Sequence, residues 1–143
     1  MVDDNCLFCR IVSGEVPATL VYVDKNAAAF LDHRPLFHGH TLLVPREHIE
    51  TLVDLPQQLV GPFFDAAQAL AQAVPHAMNA EGTFVAMNNR VSQSVPHLHV
   101  HVVPRRKKDG LKGFFWPRTK YKDEDEMKVV GRKIAASLQE LSR

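Results

Sequence analysis

Apolar and polar positions along the chain follow two periods, and the places where one gives way to the other mark the elements. Thr19-Leu20-Val21-Tyr22-Val23-Asp24 predicts a strand, Lys25-Asn26 a turn, and Ala27 to Leu31 a second strand. Pro35 to Gly39 breaks the pattern, after which Thr41 to Val44 predicts a third strand ending at Pro45. From Leu55 to Met78 the period lengthens. Leu59, Phe63, Ala67, Leu70, Val74 and Met78 recur at helical spacing and define the main helix, which Pro75 should kink or end. Thr83 to Met87 and His97 to Val103 predict the fourth and fifth strands, joined by the polar stretch Asn88 to Ser94. Asp123-Glu124-Asp125-Glu126 then opens a helix over about 123–142 with Met127, Val130, Ile134, Leu138 and Leu141 on one stripe. Four acids at its N-terminal end suit the helix dipole and serve capping and solubility. Strands, helix, strands, helix is an α+β pattern with a mostly antiparallel sheet of about five strands.

The fifth strand changes the picture. His97-Leu98-His99-Val100-His101-Val102-Val103 alternates strictly, so in an extended chain the three histidines share one face and the apolar residues the other. The apolar face can pack into a core. The opposite face then presents three imidazoles, each able to act as nucleophile, proton carrier or metal ligand near neutral pH. A catalytic zinc held by all three is one rival reading, but alternate residues of a strand lie about 7 Å apart and converge poorly on one ion. A protein that binds its ligand without turning it over is another.

Composition adds limits. A chain of 143 residues is the length of a single domain, and 45% hydrophobic with 23% charged residues is ordinary for a globular protein. A net charge of +1 gives no field that would draw the protein to nucleic acid or an acidic membrane. No apolar run approaches a bilayer span and the N-terminus lacks a signal-peptide pattern, so a cytoplasmic protein is expected. Cys6 and Cys9 form Cys-x-x-Cys. A disulfide there would close a trivially small loop, and a redox pair would need a strand before it and a helix after it. Two thiolates at this spacing are also half of a tetrahedral zinc site, the best of the three readings, with two more ligands to be found.

Several segments together resemble the histidine-triad (HIT) superfamily of nucleotide hydrolases and transferases. They are His97-x-His99-x-His101-x-x-Pro104-Arg105, Gly39-His40-Thr41-Leu42-Leu43-Val44-Pro45-Arg46-Glu47-His48, Gln93-Ser94-Val95, Cys6-Leu7-Phe8-Cys9-Arg10-Ile11 and Ala29-Phe30-Leu31-Asp32. The resemblance implies a HIT-like fold over the whole chain and phosphoryl chemistry on nucleotides, purines above all. His99 would attack the α-phosphorus to form a nucleotidyl-histidine, which water then releases as a nucleoside monophosphate. His101 would hydrogen-bond a non-bridging phosphate oxygen with Gln93, and Ser94 would help protonate the leaving group. Asp32 would accept from the ribose hydroxyls, His40 would sit behind the triad, and Asn89 would contribute to the substrate site. In branches that carry Cys-x-x-Cys, a structural zinc is implied on Cys6, Cys9, His48 and His97. The substrates implied are nucleoside 5′-phosphoramidates or dinucleoside polyphosphates, with no organic cofactor and a homodimer built on a continuous sheet.

The chain departs from the family pattern at one place. Only Arg90, Val91 and Ser92 separate Asn89 from Gln93, and Ser92 stands where the family usually has glycine. Downstream, Arg105-Arg106-Lys107-Lys108 is either a solvated run or a hold for a polyphosphate tail. Gly113-Phe114-Phe115-Trp116-Pro117-Arg118 carries three consecutive aromatics suited to a core or dimer contact. His33, His38 and His76 fall outside every motif and read as surface or loop residues.

Overall fold

A computed structural model of the chain describes residues 2–111 and 118–141. The chain forms two compact units, Met1–Asp109 and Gly110–Arg143. In the first, α1 (Leu7–Val12) precedes β1 (Leu20–Val23), β2 (Ala27–Leu31) and β3 (Thr41–Pro45); α2 (Gln57–Ala77) follows, then β4 (Gly82–Ala86) and β5 (Val100–Arg105). The strands make one open antiparallel sheet in the order β1-β2-β3-β5-β4, the α+β arrangement expected.

The apolar runs of β2 and β3 are solid rather than alternating because both faces of the sheet are covered. Ala27, Ala29, Leu43, Val100 and Val102 pack on one face against Phe63, Ala66, Ala67, Leu70 and Val74 of α2. Ala28, Phe30, Leu42 and Val44 point the other way and cluster with Cys6, Phe8, Cys9 and Ile11 around α1. Burying each of the larger side chains, the valines, leucines and phenylalanines, stabilises by about 1.5–3 kcal/mol, so both faces contribute to holding the sheet. His101 alternates with Val100 and Val102 and therefore lies on the α1 face.

Besides shifts of one or two residues at several element ends, the structure departs from the sequence reading in three ways. The fifth strand begins at Val100, not His97. On its β5 side, β3 pairs only with Val100, His101 and Val102, while the Leu98 amide donates instead to the Ile49 carbonyl (2.7 Å) and the His97 amide to the Val95 carbonyl (2.8 Å). Residues 97–99 keep the alternation without a ladder. α2 runs through Pro75 to Ala77: the proline gives up its own amide bond, but the turn continues past it, with the Met78 amide on the Val74 carbonyl (3.1 Å). α1 and the short 3-10 turn Leu52–Asp54 have too few residues to show a period and were not anticipated.

Gly39 has φ +97°, and a Cβ there would lie 2.6 Å from Met78 Cγ, so only glycine fits the turn that delivers His40 to β3. In the second unit, α3 (Glu124–Glu140) is capped by Asp123, whose Oδ1 accepts from the Glu126 amide (2.8 Å). None of its residues is buried. The aromatic run 114–116 lies outside the described residues. No described helix is long and apolar enough to cross a membrane.

Candidate active site and metal centre

The three triad histidines part company. His97 is fully buried and its ring faces the N-terminal cysteines: Nδ1 lies 3.3 Å from Cys6 Sγ and 3.5 Å from Cys9 Sγ. His48 Nδ1 reaches Cys9 Sγ at 3.5 Å, and the ligand atoms of all four residues lie within 4.8 Å of one another. A tetrahedral zinc with sulfur and nitrogen ligands separates them by about 3.5 Å, so the spacing suits it.

Protonation agrees with that fit. His97 Nε2–H donates to the Pro45 carbonyl (2.8 Å), which leaves Nδ1 as a lone pair facing both sulfurs. Behind His48, the Asp3 carboxylate lies 3.9 Å from Nε2. Burial pushes the Cys9 thiol up, so that sulfur stays neutral until a cation displaces its proton. Two thiolates and two neutral imidazoles would fill a tetrahedron and leave no open position, a structural site that ties α1 to the sheet.

His99 is 3% exposed and held edge-on between Phe8 (ring centroids 5.0 Å) and His101 (5.1 Å). Its Nδ1 lies 2.7 Å from the His97 carbonyl, which can only accept, so Nδ1 carries a proton and, in the neutral ring, Nε2 the lone pair. Nε2 has no protein partner among the described residues, and no buried side-chain nitrogen or oxygen there lacks one, so Nε2 is reached by solvent. With His97 turned to the cysteines and His99 anchored on a carbonyl, the three rings do not converge on one ion. The geometry overturns the reading of a triad-bound catalytic zinc.

A second group has ligand atoms equally close: Asp32, His40 and His101. Here the protons run the other way. The Leu36 amide donates to His40 Nδ1 (3.0 Å), so the neutral ring carries its hydrogen on Nε2, 2.9 Å from His101 Nδ1 and 3.7 Å from Asp32 Oδ2. The first group offers a metal lone pairs; this one offers it a proton. Asp32 Oδ1 accepts from the Arg34 amide (2.9 Å), which leaves Oδ2 for other partners.

Burial lowers the pKa of His101 to about 4, helped by His99 and His40 and opposed by Asp32, and burial lowers that of His40 as well. Between the ordinary value of 6.5 and about 4, the unfolded chain therefore binds more protons than the folded one. The stabilisation is complete above pH 6.5 and is lost as pH falls through this window. Melting temperature should decline over that range, and a flat profile would contradict the neutral assignment.

The connecting loop is tied down by its own polar side chains. Gln93 Oε1 accepts from the Arg90 amide (2.8 Å) and its Nε2 donates to the Glu50 carbonyl (2.6 Å). Asn89 Oδ1 accepts from the Leu52 amide (2.8 Å), and Ser94 lies exposed in the turn before His97. Arg90 and Ser92 have φ of 71° and 60°, the left-handed region that costs a residue with a Cβ about 1–2 kcal/mol. Glycine removes that strain but adds about 0.4–1 kcal/mol of unfolded-state entropy. Ser92→Gly should therefore raise the melting temperature by about 2–4 °C, and a lower one would show the serine conformation to be unstrained.

Three of the four cations in the basic run are engaged elsewhere. Arg105 pairs with Asp109 through Nε (2.6 Å) and Nη2 (3.0 Å), Arg106 donates to the Met78 carbonyl, and Lys107 faces Glu81 (3.9 Å). Arg105 also sits four residues along β5 from His101, about 13 Å away. Sequence reasoning missed Phe8 as a wall of the His99 site, although it lies within the quoted Cys6–Ile11 segment. It missed the Pro45 and His97 carbonyls and the Leu36 amide because backbone groups leave no mark on residue type.

Residues 13–108 match the HIT domain family. The protein hit of Bacillus subtilis is 33% identical over 141 residues, covering 94% of this chain and 97% of that one. The adenosine 5′-monophosphoramidase of Saccharomyces cerevisiae is 32% identical over 141 residues, covering 96% of this chain and 85% of that enzyme. The crystal structure of a zinc-bound histidine triad family protein from Mycobacterium smegmatis superposes with a TM-score of 0.70 at 37% identity, covering 95% of this chain and 94% of the other. A match across most of the chain, and relatives above 30% identity spanning nearly all of it, make this protein a member of the HIT domain family.

Proposed function

We propose that the protein is a nucleotide hydrolase acting at the α-phosphate through a covalent intermediate on His99. One observation carries the reading: the His97 carbonyl holds the proton of His99 on Nδ1 and leaves the lone pair on solvent-reached Nε2. A neutral imidazole is nucleophilic near pH 7 and approaches an anionic phosphate without charge repulsion. Nε2 forms a bond to the α-phosphorus as the bond to the leaving group breaks, and the leaving atom departs with a proton taken from solvent or Ser94. Water then attacks the phosphorus, the N–P bond breaks, one water proton returns to solvent, and a nucleoside monophosphate is released. His101 would bind a non-bridging oxygen and Asp32 Oδ2 the ribose. Asn89 and Gln93 would shape the pocket through the loop they pin, and His40 would support the site from behind His101.

Purine nucleoside 5′-phosphoramidates are the substrate class this reading favours. The relative from Saccharomyces cerevisiae bears that activity in its name, and Arg105, the nearest cation of the basic run to His101 along β5, is paired with Asp109. Cys6, Cys9, His48 and His97 would hold one structural zinc, which orders the N-terminal segment and takes no part in the chemical steps. The zinc-bound neighbour supports this. Among the described residues β1 and β4 are the edge strands on which a homodimer could draw, and a cytoplasmic setting would keep the two free thiols reduced. The test is product analysis with adenosine 5′-phosphoramidate and with diadenosine polyphosphates. Faster release of AMP from the phosphoramidate is expected. Nucleotide bound but unchanged with both substrates would make this a binding protein.

A further inference from the structure

We propose that His40 is a positioning residue that fixes His101 as the Nε2–H tautomer, a permanent hydrogen-bond donor facing the substrate. The inference rests on the nucleotidyl-transfer reading for its role, though not for its geometry. A backbone amide can only donate, so the Leu36 N–H at 3.0 Å requires a lone pair on His40 Nδ1. His40 is 3% exposed and its single proton then sits on Nε2, 2.9 Å from His101 Nδ1. His101 Nδ1 must accept, and its own proton is confined to Nε2. That atom has no partner among the described residues and, like His99 Nε2, is reached by solvent.

Two neighbouring rings thereby receive opposite roles. On His99 a carbonyl meets Nδ1 directly, and the outer nitrogen is an electron-pair donor. On His101 an amide acts through one intervening imidazole, and the outer nitrogen is a proton-bearing donor. The ring centroids are 5.1 Å apart, so a phosphorus attacked by the first can place an oxygen on the second. His40 cannot shuttle the proton onward, because accepting one at Nδ1 would set it against the Leu36 N–H. Asp32 Oδ2, 3.7 Å from His40 Nε2, favours the same tautomer.

The experiment compares the wild type with His40→Leu and His40→Gln, whose side-chain amide can donate from near the Nε2 position. Nitrogen-15 spectra of labelled histidine report which ring nitrogen of His101 bears the proton, with no substrate present. In the wild type, Nε2 should carry it. In His40→Leu the tautomer should shift toward Nδ1–H, with kcat lower by about 10²-fold and KM little changed, the loss typical of one oxyanion donor. His40→Gln should restore the tautomer and most of kcat. A folded His40→Leu that keeps the Nε2–H tautomer overturns the proposal, and so does a His40→Gln no better than His40→Leu. If the wild type turns over no nucleotide, the functional reading fails while the spectra still decide the tautomer.

Discussion

His99→Asn should lower kcat by at least about 10⁴-fold while leaving nucleotide affinity nearly unchanged, as expected when a nucleophile is lost from a site whose other contacts persist. Asparagine retains a polar group near the former Nδ1, so the bond to the His97 carbonyl can survive, but it has nothing to offer the phosphorus. Phe8 and His101 still wall the position. Rapid-quench kinetics and calorimetric nucleotide binding separate the two effects. Loss of both activities together would point to a damaged pocket, and retention of turnover would place the nucleophile elsewhere. A nucleotide trapped covalently on the wild type and absent from the variant would assign the intermediate to this ring.

The second large effect concerns the candidate metal centre. Cys9→Ser, or exhaustive chelation of the wild type, should release one zinc per chain and lower the melting temperature by about 10–15 °C. A site saturated a thousandfold above its dissociation constant contributes about 4 kcal/mol, and a domain of this size shifts about 2–4 °C per kcal/mol. The change should spread beyond α1. His97 contributes its ring to the cysteine cluster and its carbonyl to His99, so losing the first loosens the second. Turnover is therefore expected to fall by about tenfold with the melting temperature, the size of effect seen when groups orienting a site are removed. Metal analysis and calorimetry of purified protein check the first part. A chain that purifies without zinc and melts no lower after chelation would show that the four residues pack as thiols and imidazoles alone.

The sheet and the main helix were legible because their residues repeat a period over enough positions to be seen. β2 and β3 could be placed from Ala27 to Leu31 and Thr41 to Val44, although only the structure shows why they are apolar throughout: α2 covers one face and α1 the other. α1 itself has six residues, fewer than two turns, and no amphipathic period can appear in that length. The four cysteine and histidine positions were carried by a family resemblance, and the structure brings them together. What no reading of residue types could give is the direction of the hydrogen bonds. Gln93 and Asn89 have the chemistry for a phosphate or ribose, yet both grip the segment 50–52. His97 alternates with His99 and His101 as if equivalent, and its ring serves a different purpose from theirs.

The Leu36 amide has a consequence for how this region tolerates change. Its contribution is an N–H vector and not a side chain, so position 36 should accept polar, charged or aromatic residues with little penalty to the chemistry. Proline alone is barred at this position, because it has no hydrogen to give His40. A site written in main-chain direction drifts freely in composition while its loop keeps the same path. The constraint on such a segment lies in its length and its turns, and a single inserted residue would do more harm than many replaced ones.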